Sequence, residues 1–444
     1  MKRIITDIEH MKPVQIIIIG FLSVILLGTL LLMLPAASRE SGSAGFADAL
    51  FTATSATCVT GLIVQDTFSF WTPFGQAVIL CLIQTGGLGV VTVAISIAML
   101  SGKKIGLIQR NIMQESISAP QISGIVKFTK FILLTTFGAE SIGAFVMMPV
   151  FIRSFGIPKG IWFAVFHSVS AFCNAGFDLM GGRQKYSSLT TFAGNPVINI
   201  TIMALIVFGG IGFLTWMDMI IHRFHFHKYR MQTKVILGMT AILIAVPALY
   251  FYFGEFSGVS SNRLLLSLFQ AVTPRTAGFN TADLSKFSDT GLFVTILLML
   301  IGGSPASTAG GMKTTTLAVL FASSAAVFKR KKYTGLFGRR VPAESIQNAE
   351  AVLLLYISLF SVAGMVISRV EGIPLIRCLF ETASAIGTVG LTTGITPGLS
   401  LLSRSILVFL MYVGRVGGLT LIFATVSAGN PGEGTLPEEK ITVG

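Results

Sequence analysis

A charge-free apolar stretch near the N-terminus limits what this chain can fold into. Residues 14–34 read VQIIIIGFLSVILLGTLLLML and contain no charged side chain. About 20 apolar residues span the roughly 30 Å hydrocarbon core of a bilayer. A cleaved secretory signal would have an apolar core of about 7–15 residues and a small-residue cleavage site, whereas this stretch runs into Leu34-Pro35. The stretch therefore predicts a retained membrane-spanning helix.

The composition of the whole chain agrees with this prediction. Of the 444 residues, 52% are hydrophobic and 11% are charged. Soluble domains carry about 25% charged residues, so this chain would expose a large apolar surface to water. We therefore expect an all-α integral membrane protein.

The basic residues are grouped in a way that predicts topology. Four stretches hold 18 of the 32 lysines and arginines. An even number of predicted crossings separates each stretch from the next, so all four lie on one side of the membrane, and the positive-inside rule makes that side the cytoplasm. Both termini are then cytoplasmic, and the net charge of +13 requires no nucleic acid partner. The stretches comprise Lys2, Arg3 and Lys12; Lys103, Lys104, Arg110, Lys127 and Lys130; Arg223, Lys228, Arg230 and Lys234; and Lys329, Arg330, Lys331, Lys332, Arg339 and Arg340.

Four short segments of the chain resemble one another. They read SATCVTGL, SAFCNAGF, AVTPRTAGF and SAIGTVGL, and each places a glycine before Leu or Phe. The glycines are Gly61, Gly176, Gly278 and Gly390, at separations of 115, 102 and 112 residues. One such glycine would indicate only close helix packing, but the same context at four similar spacings predicts an internal repeat.

The flanks of each segment define the repeat. An apolar stretch long enough to span precedes it, at about 14–34, 128–152, 234–254 and 349–369, and another follows, at about 76–100, 197–221, 291–328 and 403–427. A mostly apolar run of 9 to 12 residues leads into each glycine, at 46–56, 161–172, 264–272 and 375–385, and such runs are typical of re-entrant half-helices. The expected fold is four pseudo-repeats of helix, pore half-helix, filter loop and helix around one central pore. The repeats are assigned to residues 1–100, 101–221, 222–330 and 331–428, with a C-terminal tail at 429–444.

The four loops predict a cation path. Non-helical backbone at membrane depth is tolerated where it lines a water-filled cavity, and rings of backbone carbonyls replace the hydration shell of K⁺. Glycine permits the positive φ that such a loop requires, and the C-termini of the half-helices favour a cation. The predicted filter residues, with K⁺ at the glycines, are Val59, Thr60, Gly61, Asn174, Ala175, Gly176, Thr276, Ala277, Gly278, Thr388, Val389 and Gly390.

The Thr388-Val389-Gly390 triplet is the one that opens the K⁺-channel filter TVGYG. With the other three triplets, it makes the whole chain resemble the Trk/Ktr/HKT superfamily of potassium transporters, and most of all the membrane (B-type) subunit of the bacterial Ktr system. The resemblance implies potassium uptake across the bacterial cytoplasmic membrane. It also implies K⁺ selectivity, since a serine at the first filter position accompanies Na⁺ preference and this chain has Gly61 there. The alternative within the superfamily is a Trk-type or Na⁺-permeable transporter.

The same resemblance implies partners. It predicts a homodimer in the lipid membrane that rests on a cytoplasmic ring of nucleotide-binding (RCK/KTN-type) subunits. The chain has no P-loop or dinucleotide fingerprint, so no organic cofactor is expected in it and any nucleotide response belongs to the partner. K⁺ is the transported ion, and a regulatory role of Na⁺ stays open.

A second feature predicts a gate. Residues 291–328 would form one helix of about 57 Å at 1.5 Å per residue, which exceeds the bilayer. Glycine, serine and proline weaken a helix in the middle of this run, and broken membrane helices mark ion paths. We therefore expect an intramembrane gating loop, as the resemblance also implies. It consists of Gly302, Gly303, Ser304, Pro305, Ala306, Ser307, Thr308, Ala309, Gly310 and Gly311, with Lys313 beside it.

Arg415 is a further candidate gate residue. It lies in the apolar context YVGRVGG, where an arginine costs roughly 2.5–3.5 kcal/mol on insertion scales. The side chain should therefore face the pore or a carboxylate. The resemblance places it below the filter, as an electrostatic barrier to permeation.

Two other functional classes fit the sequence less well. A rocking secondary transporter should show twofold repeats, and an intramembrane enzyme needs a nucleophile–base pair or a metal set, whereas no HExxH or GxSxG motif occurs. His225 and His227 alone supply too few metal ligands. Near the predicted outer mouth, Asp66, Asp178 and Glu381 either concentrate cations or serve as ordinary polar groups of loops and helix ends.

Overall fold

The computed structural model describes residues 12–39, 43–101, 106–117, 124–223, 225–259, 261–418 and 420. The predicted tail, 429–444, lies outside these residues, as do Lys2, Arg3, Lys103 and Lys104. The described chain is mainly helical, as the sequence predicts.

The first predicted repeat contains two long and two shorter elements in sequence. These are α1 (Pro13–Leu32), α2 (Phe46–Thr57), α3 (Pro73–Leu88) and α4 (Val90–Leu100). A further short helix, α5 (Leu107–Ile117), leads toward the second repeat.

The second predicted repeat follows the same order. Its elements are α6 (Ile125–Phe155), α7 (Ile157–Phe172), α8 (Pro196–Ile211) and α9 (Phe213–His222). Short 3₁₀ turns lie in the loop between α7 and α8, at Met180–Gly182 and Ser188–Phe192.

The third predicted repeat contains α10 (Met231–Phe253), α11 (Arg263–Val272), α12 (Asp289–Leu300) and α13 (Thr314–Phe328). A two-stranded antiparallel hairpin follows it, with β1 at Gly335–Leu336 and β2 at Arg339–Arg340. Both turn residues, Phe337 and Gly338, have positive φ, at 47° and 74°, as the tightest hairpin turns require. The fourth repeat consists of α14 (Ala343–Glu371), α15 (Leu375–Ile386) and α16 (Leu401–Val416).

The first helix of each repeat is a membrane span by length and composition. These four helices, α1, α6, α10 and α14, are 20, 31, 23 and 29 residues long, and no more than 39% of the apolar window of any of them is buried within the chain. Large apolar side chains on their outer faces, such as Leu134 and Phe145 of α6, are exposed. Such faces are stable in lipid rather than in water.

The predicted straight second spans are corrected by the structure. The stretches expected at 76–100 and 197–221 are bent pairs, with angles of 97° between α3 and α4 and 91° between α8 and α9. The bends fall at Gly89 and Gly212, whose φ values are 85° and 97° with ψ near 135°, at 132° and 139°. In the stretch expected at 403–427, α16 ends before Gly417, whose φ and ψ are 95° and 130°. An α-helix cannot continue through these angles. The same backbone conformation therefore interrupts the second spanning stretch at corresponding positions in three of the repeats.

The helix that follows each glycine-containing loop, α3, α8, α12 or α16, carries a side-chain cap at its N-terminus. The side chains of Thr72, Asn195, Ser288 and Ser400 accept hydrogen bonds from backbone N–H groups three residues later. Such caps satisfy N–H groups that the helix itself leaves unpaired. The cap thus marks the point at which the chain re-enters helix after each glycine-containing loop.

Contacts between successive repeats close the four units into a ring. Trp162 Nε1 donates to Gln76 Oε1 at 2.9 Å between the first and second repeats, and the backbone N–H of Leu189 donates to the carbonyl of Asn280 at 2.9 Å between the second and third. The backbone N–H of Gly311 donates to the carbonyl of Gly414 at 3.3 Å between the third and fourth. The ring closes where Arg404 Nη1 lies 2.9 Å from Asp48 Oδ1, between the fourth and first repeats.

The bend at Gly212 makes a testable stability prediction. We expect Gly212→Ala to lower the melting temperature of the purified protein, because a Cβ there would overlap the carbonyl of Pro305 and the positive φ disfavours alanine. The expected cost is roughly 1–3 kcal/mol. Gly238→Ala is the control, since Gly238 lies within α10 with open space around a Cβ, and alanine is favoured there by about 1 kcal/mol. A Gly212→Ala protein as stable as wild type would contradict this account of the bend.

Candidate functional site

The four predicted filter triplets share one backbone conformation. Each follows the C-terminus of a short helix, α2, α7, α11 or α15. The first residue of each triplet has a left-handed φ: 57° at Val59, 58° at Asn174, 65° at Thr276 and 52° at Thr388. The third residue is glycine, with φ of 93° at Gly61, 69° at Gly176, 78° at Gly278 and 91° at Gly390. We call residues 59–61, 174–176, 276–278 and 388–390 the glycine segments.

The glycine segments surround one point. A Cβ on Gly61 would overlap the carbonyl of Ala175, one on Gly176 that of Ala277, and one on Gly278 that of Val389. A Cβ on Gly390 would overlap the carbonyl of Thr60, which returns the sequence of contacts to the first segment. The twelve predicted residues are therefore brought together in cyclic order, and glycine is required because each segment touches the backbone of the next.

A hydroxyl side chain anchors each glycine segment from behind. Ser55 Oγ accepts from the N–H of Gly61 and Ser384 Oγ from that of Gly390, both at 3.0 Å. Ser170 Oγ and Thr273 Oγ1 instead donate to the carbonyls of Phe177 and Phe279, at 2.8 and 2.7 Å.

The backbone carbonyls of these anchors also hold the middle residue of each segment. They accept from the N–H groups of Thr60, Ala175, Ala277 and Val389 at 2.8–3.0 Å. Sequence reasoning missed these anchors, although their signal is a Ser or Thr five or six residues before each glycine.

The acidic residues near the glycine segments hold loops in place. Asp66 accepts from the N–H groups of Ser69 at 2.8 Å and Tyr186 at 3.1 Å. Asp178 Oδ1 accepts from the N–H of Met180 at 2.9 Å. Glu381 is fully buried and accepts from hydroxyl or N–H groups of Thr392, Thr393 and Thr396. These contacts support the interpretation of ordinary polar groups rather than one of freely exposed cation-concentrating charges.

The helix predicted to break in the third repeat is interrupted between Leu300 and Thr314. We call residues 301–313 the 301–313 loop. Its ends pair with each other, since the N–H of Gly302 donates to the carbonyl of Met312 at 2.7 Å.

The middle of the 301–313 loop binds the second repeat. The N–H of Ser304 donates to the carbonyl of Gly210 at 2.9 Å, and the N–H of Phe213 donates to that of Ala306 at 2.8 Å. The backbone polar groups of this non-helical stretch thus find partners inside the protein.

The 301–313 loop lies directly against the glycine segments. A Cβ on Gly310 would overlap Thr388 Oγ1, and one on Gly311 would lie 2.9 Å from the carbonyl of Gly387. Pro305, Ala306, Ser307 and Ala309 line a cavity of about 760 Å³, together with Gly311, Lys313 and Arg415. Lys313 Nζ donates to the carbonyl of Ala309 at 2.8 Å, so the lysine is tied back to its own loop. Gly303 packs against the Ala309 side chain.

Arg415 and Thr308 connect all four repeats. The Arg415 guanidinium donates to the carbonyl of Thr308 in the third repeat, and to the carbonyls of Gly86 and Gly87 in the first. Thr308 Oγ1 donates in turn to the carbonyl of Phe172 in the second repeat, at 3.0 Å. The arginine thus faces the protein interior and lines the cavity, and its partners are carbonyls rather than a carboxylate.

Two acidic residues of the helical region also have internal partners. Glu140 of α6 is buried, with Oε1 at 3.8 Å from Cys173 Sγ. Asp218 of α9 accepts from the N–H of Arg230 at 3.0 Å. They lie behind the glycine segments and at the loop before α10, respectively.

This arrangement of helices and inward-folded segments defines a membrane transport protein. The sequence matches the TrkH family, described as cation transport protein, over residues 2–430, and the chain belongs to this family. It is therefore a cation transport protein of the membrane.

Individual relatives cover nearly the whole chain. The potassium/sodium uptake protein NtpJ of Enterococcus hirae is 40% identical, over 98% of this chain and 98% of its own. The Ktr system potassium uptake protein B of Bacillus subtilis is 39% identical, over 93% and 92%. The crystal structure of the potassium transporter TrkH from Vibrio parahaemolyticus matches with a TM-score of 0.69 at 20% identity, over 92% of this chain and 84% of that one, which confirms the all-α fold class expected from the sequence.

The contact between Thr308 and Phe172 predicts a stability change. Thr308→Val keeps the side-chain shape but removes the donor, which leaves a buried carbonyl without its partner at a cost of about 1–3 kcal/mol. We expect a lower melting temperature in detergent. Thr316→Val is the control, because Thr316 is half-buried on α13 and lines the cavity. Equal melting temperatures for the two variants would show that the Thr308 hydroxyl contributes nothing to stability.

Proposed function

We propose that the chain takes up potassium through a pore that the four glycine segments enclose. The observation that supports this most directly is the closed cycle of backbone contacts among Gly61, Gly176, Gly278 and Gly390. Four short helices end at these segments, so their C-terminal carbonyls add partial negative charge near the centre. Backbone carbonyls at such a point replace water around K⁺, and the four triplets form the selectivity filter.

Selectivity for K⁺ over Na⁺ is part of the proposal. All four filter positions are glycine, which the family resemblance associates with K⁺. The second candidate is a Na⁺-permeable transporter of the same family, and the name of the Enterococcus hirae relative, potassium/sodium uptake protein, favours it. A role for Na⁺ as a regulator is a separate proposal and fits potassium uptake as well as this second candidate.

The 301–313 loop and Arg415 form the proposed gate. The loop lies against the fourth filter segment and lines the 760 Å³ cavity beside it. Arg415 places a positive charge at the same cavity, where it opposes the passage of a cation. Opening then requires that the loop leave its contacts with the second repeat and with Arg415.

The remaining proposals concern surroundings and partners. The face that carries Arg223, Lys228 and residues 329–332 is taken as cytoplasmic by the positive-inside rule, which places both termini in the cytoplasm of a bacterial cell. The Bacillus subtilis relative is named as part of a Ktr system, which supports association of this chain with a further subunit. The family resemblance implies that this partner is a ring of nucleotide-binding RCK/KTN-type subunits beneath a homodimer. Nucleotide regulation would act through that ring.

Potassium-limited growth tests the proposed function and its filter. We expect the wild-type chain to rescue an uptake-deficient bacterium at low K⁺. We expect Gly61→Ser to reduce K⁺ uptake about tenfold or more and to increase competition by Na⁺. The reason is that the added side chain would overlap the carbonyl of Ala175. Gly394→Ser is the matched control, with φ of 91° against 93° at Gly61 but open space around a Cβ. Equal uptake and selectivity in the two variants would refute the filter assignment.

Ion flux in vesicles tests the proposed gate. Arg415→Gln removes the positive charge, and deletion of residues 304–311 removes the obstruction, so we expect both to carry more ⁸⁶Rb⁺ or K⁺ flux than wild type in the absence of partner subunits. Lys286→Gln serves as a control, because Lys286 is exposed in the loop before α12 and pairs with Asp283. A deletion variant that is folded by melting temperature but carries no more flux than wild type would rule out gating by this loop.

A further inference from the structure

A strongly basic surface follows the end of α13. Six cations occur within residues 329–340, and all six are exposed. They are Lys329, Arg330, Lys331, Lys332, Arg339 and Arg340. The sequence has no Asp or Glu between Asp289 and Glu344, and none of the ion pairs among the described residues involves the six. We call residues 329–340 the basic hairpin segment, since it contains β1 and β2.

Aromatic side chains are exposed among these cations. Tyr333 is 47% exposed and Phe337, at the tip of the hairpin turn, is 55% exposed. The Arg340 guanidinium lies 4.0 Å from the centroid of the Tyr333 ring, and Lys332 Nζ lies 5.6 Å from it. Exposed aromatic rings beside lysine and arginine are typical of the membrane–water interface.

The position of this basic surface at the end of α13 indicates how deep it lies in the bilayer. Phe321, Val327 and Phe328 of α13 are 65%, 70% and 84% exposed, so an apolar exposed face continues to the last residue of the helix. The cations begin at the next residue, Lys329. They therefore lie where hydrocarbon gives way to headgroups.

We infer that the basic hairpin segment binds the anionic headgroups of phospholipids in the adjacent leaflet. Four to eight basic residues next to a membrane helix attract anionic lipids, and the exposed Phe328, Tyr333 and Phe337 suit the interface better than the surface of an acidic soluble protein. Leu336 of the same hairpin lines the 760 Å³ cavity, so the lipid-binding segment also forms part of the wall of that cavity. This inference does not depend on which ion the protein transports.

Lipid binding to the purified full-length chain tests the inference. Native mass spectrometry would compare retention of phosphatidylglycerol and phosphatidylcholine by wild type and by two variants. One is K329Q/R330Q/K331Q/K332Q. The other is R339Q/R340Q, which leaves the cations nearest α13 in place so that topology is preserved. We expect wild type to prefer phosphatidylglycerol, and both variants to bind it at least about tenfold more weakly, since each cation contributes roughly fivefold.

A matched variant distinguishes binding at the basic hairpin segment from a general effect of net positive charge. R223Q/K228Q/R230Q/K234Q removes three cations from the linker before α10 and one, Lys234, from the first turn of α10, and this variant should retain phosphatidylglycerol like wild type. Unchanged retention in both hairpin variants would overturn the inference, and so would an equal loss in the linker variant. Equal retention of the two lipids by wild type, with binding of poly-glutamate to the hairpin, would overturn it in favour of an acidic soluble partner.

Discussion

Non-helical backbone inside a bilayer must find its hydrogen bonds within the protein, and the rest of this structure depends on how that constraint is met. The glycine segments are anchored from behind by Ser55, Ser170, Thr273 and Ser384. The 301–313 loop pairs with its own ends and with the interrupted helix of the second repeat. Each anchor belongs to the same repeat as the glycine segment it holds, whereas the 301–313 loop also pairs with Gly210 and Phe213 of the second repeat, so the third repeat does not complete its inner surface alone. The long first helices then serve as the lipid-facing wall around this interior.

The charged side chain of Arg415 also finds its hydrogen-bond partners within the protein. A guanidinium at this depth is costly unless its donors are satisfied. Here it takes carbonyls from the first repeat, at Gly86 and Gly87, and from the third, at Thr308. Those carbonyls lie where the second membrane-spanning stretches are interrupted, next to Gly89 and within the 301–313 loop. The interrupted helices and the half-buried guanidinium are thus in direct contact.

Departures from fourfold regularity coincide with the features that carry proposed roles. The third repeat has Thr273 five residues before its glycine, whereas the other anchors stand six before. In the same repeat the long 301–313 loop replaces the single glycine that bends the second helix elsewhere, at Gly89 and Gly212. In the proposed function, the regular ring surrounds the ion, and the irregular repeat supplies the element proposed to obstruct it.

The sequence by itself determined the helical membrane class, the four short helices and the interruption after Leu300, because apolar length and glycine context are local properties of the chain. It indicated the residues of the candidate site as well, from four similar motifs. It did not reveal the bends at Gly89 and Gly212, because an apolar run predicts a single membrane span whether or not one of its glycines has a positive φ. Only the tertiary structure decided that Thr60, Ala175, Ala277 and Val389 present their carbonyls to the glycine of the preceding segment in the cycle, and that Arg415 binds carbonyls more than 100 residues away. Those contacts join distant parts of the chain, and their geometry is set by the packing of all four repeats together.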